Sequence, residues 1–147
     1  MPGDNALANA VLDASVAVRL LAPEKGSDEA AELFERPLSW LAPRLLVTEI
    51  AAALRRKVVA GVVSQQFSLE AMEAFRRIVE EGALRFATDE SWCVDALRLA
   101  LTTQQRVPDC LYLALAQREG AALATADRAL AELAQQRKVN VHFVSPA

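Results

Sequence analysis

One histidine, His142, and two cysteines, Cys93 and Cys110, are all this sequence offers of the soft or neutral-pH side chains. A paired-histidine acid–base mechanism is impossible with a single ring, and a serine or cysteine triad would have to use that same ring. Two thiols in apolar helical surroundings are too few for a zinc site and read as buried free cysteines. His142 sits in the alternating run Val139-Asn140-Val141-His142-Phe143-Val144, the setting of an ordinary strand residue. Aromatic residues are only 5 % of the chain, so Trp40 and Trp92 are expected in core packing rather than as a stacking platform. No stretch approaches the roughly 18 unbroken apolar residues of a membrane span. Met1-Pro2-Gly3-Asp4-Asn5 lacks the basic region and apolar core of a secretory leader, so a cytoplasmic protein is expected.

What is present is the balance of a globular protein: 147 residues, 53 % hydrophobic and 24 % charged, enough to bury a full core. Folding needs no metal or disulfide staple at this length, so a metal here would serve function. Glycine and proline divide the chain into alternating strand and helix segments without a long linker, repeat or low-complexity tract, and residues 1–147 read as one domain.

The segments are expected as follows. A strand over 8–13 leads to a short helix over 15–21 that Pro23 closes; Ser27 caps a second helix running to 35. After a strand over 39–41, Pro43 opens a long helix that runs to 60 and stops at Gly61. Ser68 caps a helix over 69–81, ended by Gly82 before a strand over 83–86, and Thr88-Asp89-Glu90 starts a helix ending near 103. Pro108 heads a helix ending at Glu119, with Gly120 as its stop; a strand over 121–125, a helix over 128–134 and a strand over 139–144 finish the chain. Strands separated by helices imply parallel pairing, hence a three-layer α/β/α sandwich with a central parallel sheet.

Four acids stand where a carboxylate is awkward for folding. Asp13 ends the apolar run Ala10-Val11-Leu12, and Asp127 closely follows the run Ala121-Ala122-Leu123-Ala124-Thr125. Glu49 and Asp109 lie in alanine- and leucine-rich helical stretches, Asp109 in the first turn of a helix that is apolar on every face. Taken singly each has a local explanation: a helix cap for Asp13 or Asp127, dipole complementation for Asp109, a solvated helix position for Glu49. Taken together, two strand ends and two inner helices deliver only acids to the place where α/β sheets collect their ligands, beyond the carboxyl ends of the strands. Carboxylates gathered there repel by about 3 kcal/mol per pair at about 5 Å and an effective dielectric of about 20, so a cation is required. Hard oxygen donors without a histidine or cysteine cluster select Mg²⁺ or Mn²⁺. A water on such an ion can attack a phosphodiester in line. Ser15 and Thr125, each two residues from an aspartate, either orient a ligand or water or serve local turn hydrogen bonds.

A formal net charge of −3 argues against a nucleic-acid partner at first sight. Setting the four acids aside as metal ligands leaves 16 basic against 15 acidic residues, so a phosphodiester substrate is compatible with the composition. Arg55-Arg56-Lys57, near the end of the long helix, and Arg76-Arg77 on the next either grip RNA phosphates or form solvated helix faces, with Arg55 and Arg56 the candidates for nucleic-acid contact. A phosphatase or receiver-type protein also uses strand-end aspartates, but with a nearby lysine; Lys25, Lys57 and Lys138 all fall at helix ends or in loops.

Val11-Leu12-Asp13-Ala14-Ser15-Val16, Pro43-Arg44-Leu45-Leu46-Val47-Thr48-Glu49-Ile50, Pro108-Asp109-Cys110-Leu111-Tyr112-Leu113-Ala114-Leu115-Ala116 and Leu123-Ala124-Thr125-Ala126-Asp127, in this order along nearly the whole chain, resemble the PIN domain. More narrowly they are similar to the VapC toxins of type II toxin–antitoxin systems. The resemblance implies a Mg²⁺- or Mn²⁺-dependent endoribonuclease with Asp13, Glu49, Asp109 and Asp127 at the acidic positions and Thr125 at the usual hydroxyl. It also implies a homodimer, held inactive by an antitoxin whose C-terminal segment covers the cleft. One departure is Ala52, where many relatives carry an asparagine three residues after the helical glutamate. Two other readings keep the fold: a PIN nuclease of RNA processing without an antitoxin, and a catalytically silent interaction module.

Overall fold

The two apolar runs become the paired central strands of a parallel sheet. In the computed structural model, which describes residues 6–87 and 92–145, the elements are β1 (Ala8–Leu12), α1 (Ala14–Leu21), α2 (Ser27–Phe34), β2 (Leu38–Ala42), α3 (Leu45–Val59), α4 (Gln65–Glu80), β3 (Arg85–Phe86), α5 (Trp92–Thr102), α6 (Val107–Glu119), β4 (Ala122–Thr125), α7 (Arg128–Gln136) and β5 (Val141–Phe143). The strand order is β3-β2-β1-β4-β5 with every neighbouring pair parallel, and helices flank the sheet. Ala10, Val11, Leu12, Leu41, Ala42, Leu123 and Ala124 are all buried, as expected of strands covered on both faces.

That strand order positions the site. From β1 the chain winds outward through β2 to β3, then returns to place β4 on the other side of β1, so the winding reverses between β1 and β4. A crevice opens beyond the carboxyl ends at such a reversal. Leu12 pairs with Ala124, and the Asp13 amide donates to the Ala124 carbonyl at 3.1 Å, so Asp13 and the end of β4 are held side by side at that crevice.

Helix α6 is buried without interruption from Cys110 to Ala116. Pro108 near its start, where no intrahelical N–H is needed, and Gly120 in the left-handed conformation at its end fix both boundaries. Its alanines permit close approach, and it packs against α5, β1 and β4.

Several boundaries differ from the sequence reading. Helix α4 is capped by Ser64, whose hydroxyl accepts from the Phe67 amide at 3.0 Å, and not by Ser68, which donates to the Gln65 carbonyl at 2.7 Å. The earlier start brings Phe67 onto the core, a gain that a helix beginning at Leu69 would forgo. Helix α2 is capped by Gly26, and Ser27 instead closes the preceding loop, accepting from the Glu24 amide and donating to the Ala22 carbonyl. Strands β3 and β5 are shorter than expected, and α3 begins two residues after Pro43. The expected helix start at Thr88-Asp89-Glu90 lies outside the described residues, where α5 is described from Trp92. Both tryptophans are core residues, and Trp40 stacks on Phe34. The cysteines are thiols, Cys110 buried and Cys93 half-buried.

Candidate active site

Asp13, Glu49, Asp109 and Asp127 all line one open cleft of about 500 Å³. Asp13 enters from the end of β1, Asp127 from just beyond β4, Glu49 from the second turn of α3 and Asp109 from the first turn of α6. Ser15 lines the same cleft, and Arg56 and Lys57 stand at its rim on α3. Arg55 faces the other way, into the groove between α3 and α4, so only one of the two arginines singled out from the sequence reaches the acids. Ala52 is exposed and lines neither surface; the cleft position on that turn is Ala53.

Asp13 is 5 % exposed and has one oxygen committed. Its Oδ2 accepts from the Ser15 hydroxyl at 2.6 Å and the Thr125 hydroxyl at 2.7 Å. Those hydroxyls in turn accept from backbone amides, Ser15 from Ala126 at 2.9 Å and Thr125 from Asp127 at 3.0 Å. With both protons directed at Asp13, the 3.3 Å approach of Ser15 to Thr125 is a contact without a further proton to share. The carboxylate is thereby locked in orientation, and among the described residues no hydrogen bond engages its Oδ1. Burial drives the Asp13 pKa up to about 6; the two hydroxyls oppose this, and the negative charges of Glu49 and Asp109 reinforce it.

The other three acids are each held by one partner. The Glu49 Oε1 accepts from the Tyr112 hydroxyl at 2.5 Å. Tyr112 is fully buried, and burial together with the charges of Asp13 and Glu49 pushes its pKa upward, so it remains a donor. Asp127 caps α7 through Oδ1, which accepts from the Leu130 amide at 3.2 Å, so the local capping explanation holds for this residue. Asp109 pairs through Oδ2 with the Arg106 Nε at 3.4 Å, Arg106 being 78 % exposed.

Sequence reasoning passed over Tyr112, Arg106, Arg19 and Glu24 as site residues, although three of them line the cleft and Tyr112 holds Glu49. The signal for Tyr112 and Arg106 was their spacing: each is three residues from Asp109 and so shares its helix face. Arg19 and Glu24 carried no comparable signal.

The cleft offers the hard oxygen donors that a divalent cation takes: four carboxylates line it, Asp13 is buried with a pKa raised by burial and, to a lesser degree, by like charges, and His142 lies away on β5. Among the described residues no three acid, imidazole or thiol groups are already drawn together as a finished cage. The arrangement is a lined cleft whose carboxylates are each steadied by a neighbour.

The five-stranded parallel sheet flanked by helices, with four carboxylates lining the cleft beyond its central strands, is the architecture of an α/β domain. Residues 10–136 match the family model described as "PIN domain", and the chain belongs to that family. PIN domains are generally metal-dependent nucleases, although some are inactive. The fold is similar to the crystal structure of PAE2754 from Pyrobaculum aerophilum (TM-score 0.66, 18 % identity, 85 % of this chain and 84 % of that one). It is also similar to a domain of a functionally unknown protein from Methanocaldococcus jannaschii DSM 2661 (TM-score 0.57, 13 % identity, 95 % and 93 %). No curated protein matches the chain. Among the described residues no helix is long and apolar enough to cross a membrane.

Proposed function

We propose that the protein is a Mg²⁺- or Mn²⁺-dependent endoribonuclease acting as the toxin of a type II toxin–antitoxin pair. The observation that carries the catalytic part is the convergence of Asp13, Glu49, Asp109 and Asp127 on one cleft, with Asp13 locked by two hydroxyls. Asp13, Asp109 and Asp127 would hold the ion, with Glu49 completing the set. Bound there, the ion supplies an acidified water and steadies the charge that builds on the phosphoryl group. Ser15 and Thr125 keep the Asp13 carboxylate from rotating, and Tyr112 does the same for Glu49. Arg56 and Lys57 give the cleft a cationic rim for a polyanionic strand.

A homodimer and an antitoxin that covers the cleft belong to the same reading. The groove between α3 and α4, lined by Leu54, Val58, Val59, Leu69 and Met72, supports it as an apolar surface for protein contact. Purified wild-type protein with Mn²⁺ should cut single-stranded RNA, and Asp13→Asn or Asp109→Asn should lower the rate by at least about a hundredfold while the protein stays folded. Undiminished cleavage by both variants would remove the catalytic reading. Arrested growth on expression, relieved by a short neighbouring reading frame, tests the toxin role separately.

A further inference from the structure

We propose that the outer part of the cleft, formed by Arg19, Glu24 and Lys57, is a phosphate-binding subsite in which the Glu24 carboxylate stands in for a backbone phosphate of the RNA strand. This rests on the nuclease reading above and adds how the strand is gripped away from the point of cutting.

The starting observation is one carboxylate bridging two helices. Glu24, in the loop after α1, places Oε1 at 3.4 Å from the Lys57 Nζ of α3 and Oε2 at 3.7 Å from the Arg19 Nη2 of α1. All three residues line the cleft that holds the acids. The cations are not loose surface groups: the side chains of Arg19 and Lys57 are 14 % and 17 % exposed, against 78 % for Arg106. Arg19 is also fixed without Glu24, donating from Nη1 to the Ser15 carbonyl at 2.6 Å and from Nε to the Lys25 carbonyl at 2.8 Å.

Two positioned cations that meet on the two oxygens of one carboxylate make a seat for an anion that presents two oxygens. The chain's own carboxylate occupies it imperfectly, since close charge-assisted bonds of this kind run at about 2.7–2.9 Å and both contacts here are longer. A phosphodiester also presents two free oxygens, one for the Arg19 Nη2, the nitrogen its two carbonyl contacts leave over, and one for the Lys57 Nζ. Glu24 can yield, because its side chain is 28 % exposed and borders solvent. Lys57 and Glu49 share the cleft face of α3 but lie about 12 Å apart along its axis, so the phosphate seated there belongs to a neighbouring nucleotide and not to the bond being cut.

The test measures binding of a labelled single-stranded RNA oligonucleotide by fluorescence anisotropy in EDTA, where cleavage is blocked, for wild type, Glu24→Gln, Lys57→Met and the double variant. Glu24→Gln should bind about three- to fivefold more tightly, since it releases both cations from a partly exposed ion pair. Lys57→Met should bind more weakly and lower the slope of log K against log salt by about 0.7, the signature of one lost single-strand phosphate contact. In the Lys57→Met background, Glu24→Gln should lose more than half of its gain. An unchanged or weaker affinity for Glu24→Gln overturns the subsite, as does an equal gain in both backgrounds, which would mark a bulk charge effect. No RNA binding by wild type in EDTA also overturns the subsite, whereas the nuclease reading fails separately, on absence of Mn²⁺-dependent cleavage by wild type.

Discussion

At the scale of single residues, Asp13 is a place where a buried carboxylate costs stability. Its pKa is raised to about 6, chiefly by burial, against about 4 for an aspartate in an unfolded chain. The folded protein therefore holds this proton more tightly than the unfolded chain does. The associated stability is fully present below about pH 4 and is lost as pH rises through about 6, a penalty on the order of 3 kcal/mol at neutral pH without metal. Asp13→Asn removes the charge while keeping an oxygen for the Ser15 and Thr125 hydroxyls. The metal-free variant should thus melt about 5 °C above metal-free wild type at pH 7.5, with the gap closing toward pH 4. A variant that melts below wild type at pH 7.5 would show that the Asp13 carboxylate contributes net stability, contrary to this account.

Element boundaries show which parts of the fold were legible in the chain and which were not. The central strands announced themselves because Ala10-Val11-Leu12 and Leu123-Ala124 are apolar on both faces, as only a covered parallel strand needs to be. Helix α6 was equally plain between Pro108 and Gly120. The caps were less so: Ser64 and Ser68 are both competent, and the choice falls to Phe67, whose burial is a tertiary gain that local preference does not contain. Of the site, the four acids were legible because they interrupt apolar patterns. The Tyr112–Glu49 bond and the Glu24 bridge were not, since each depends on which helices the strand order makes neighbours.

Gly26 is a further case of this kind. It has φ +91°, and a Cβ there would lie 3.1 Å from the Arg19 Nε, the Ser145 carbonyl oxygen and a Val144 methyl. Its lack of a side chain lets the loop after α1 pass close to Arg19 and the chain end. Gly26→Ala combines backbone strain with crowding and should destabilise by about 1–3 kcal/mol in urea unfolding. Because Arg19 is displaced as well, RNA affinity should fall in parallel. A neutral substitution would mean that the loop relaxes freely.

For the molecule as a whole, the sheet brings four carboxylates to one cleft beyond the carboxyl ends of its central strands, and under the proposed function a bound cation compensates them. Any ligand that binds the folded state alone raises stability by RT ln(1 + [L]/Kd), about 2.7 kcal/mol at a hundredfold excess over Kd. For Mn²⁺ that gain must depend on pH, because Asp13 has to lose its proton before it can coordinate. At pH 5 the carboxyl is mostly protonated, with a pKa of about 6, so apparent affinity should fall about tenfold from its value at pH 7.5. The rise in melting temperature on adding Mn²⁺ should therefore be larger at pH 7.5 than at pH 5 by the equivalent of about 1.4 kcal/mol. Asp13→Asn should erase most of that difference, since the remaining carboxylates are held in more solvated positions. Equal Mn²⁺ shifts at the two pH values in wild type would mean that the ion is held without Asp13, and the centre of the site would have to move to Asp109 and Asp127.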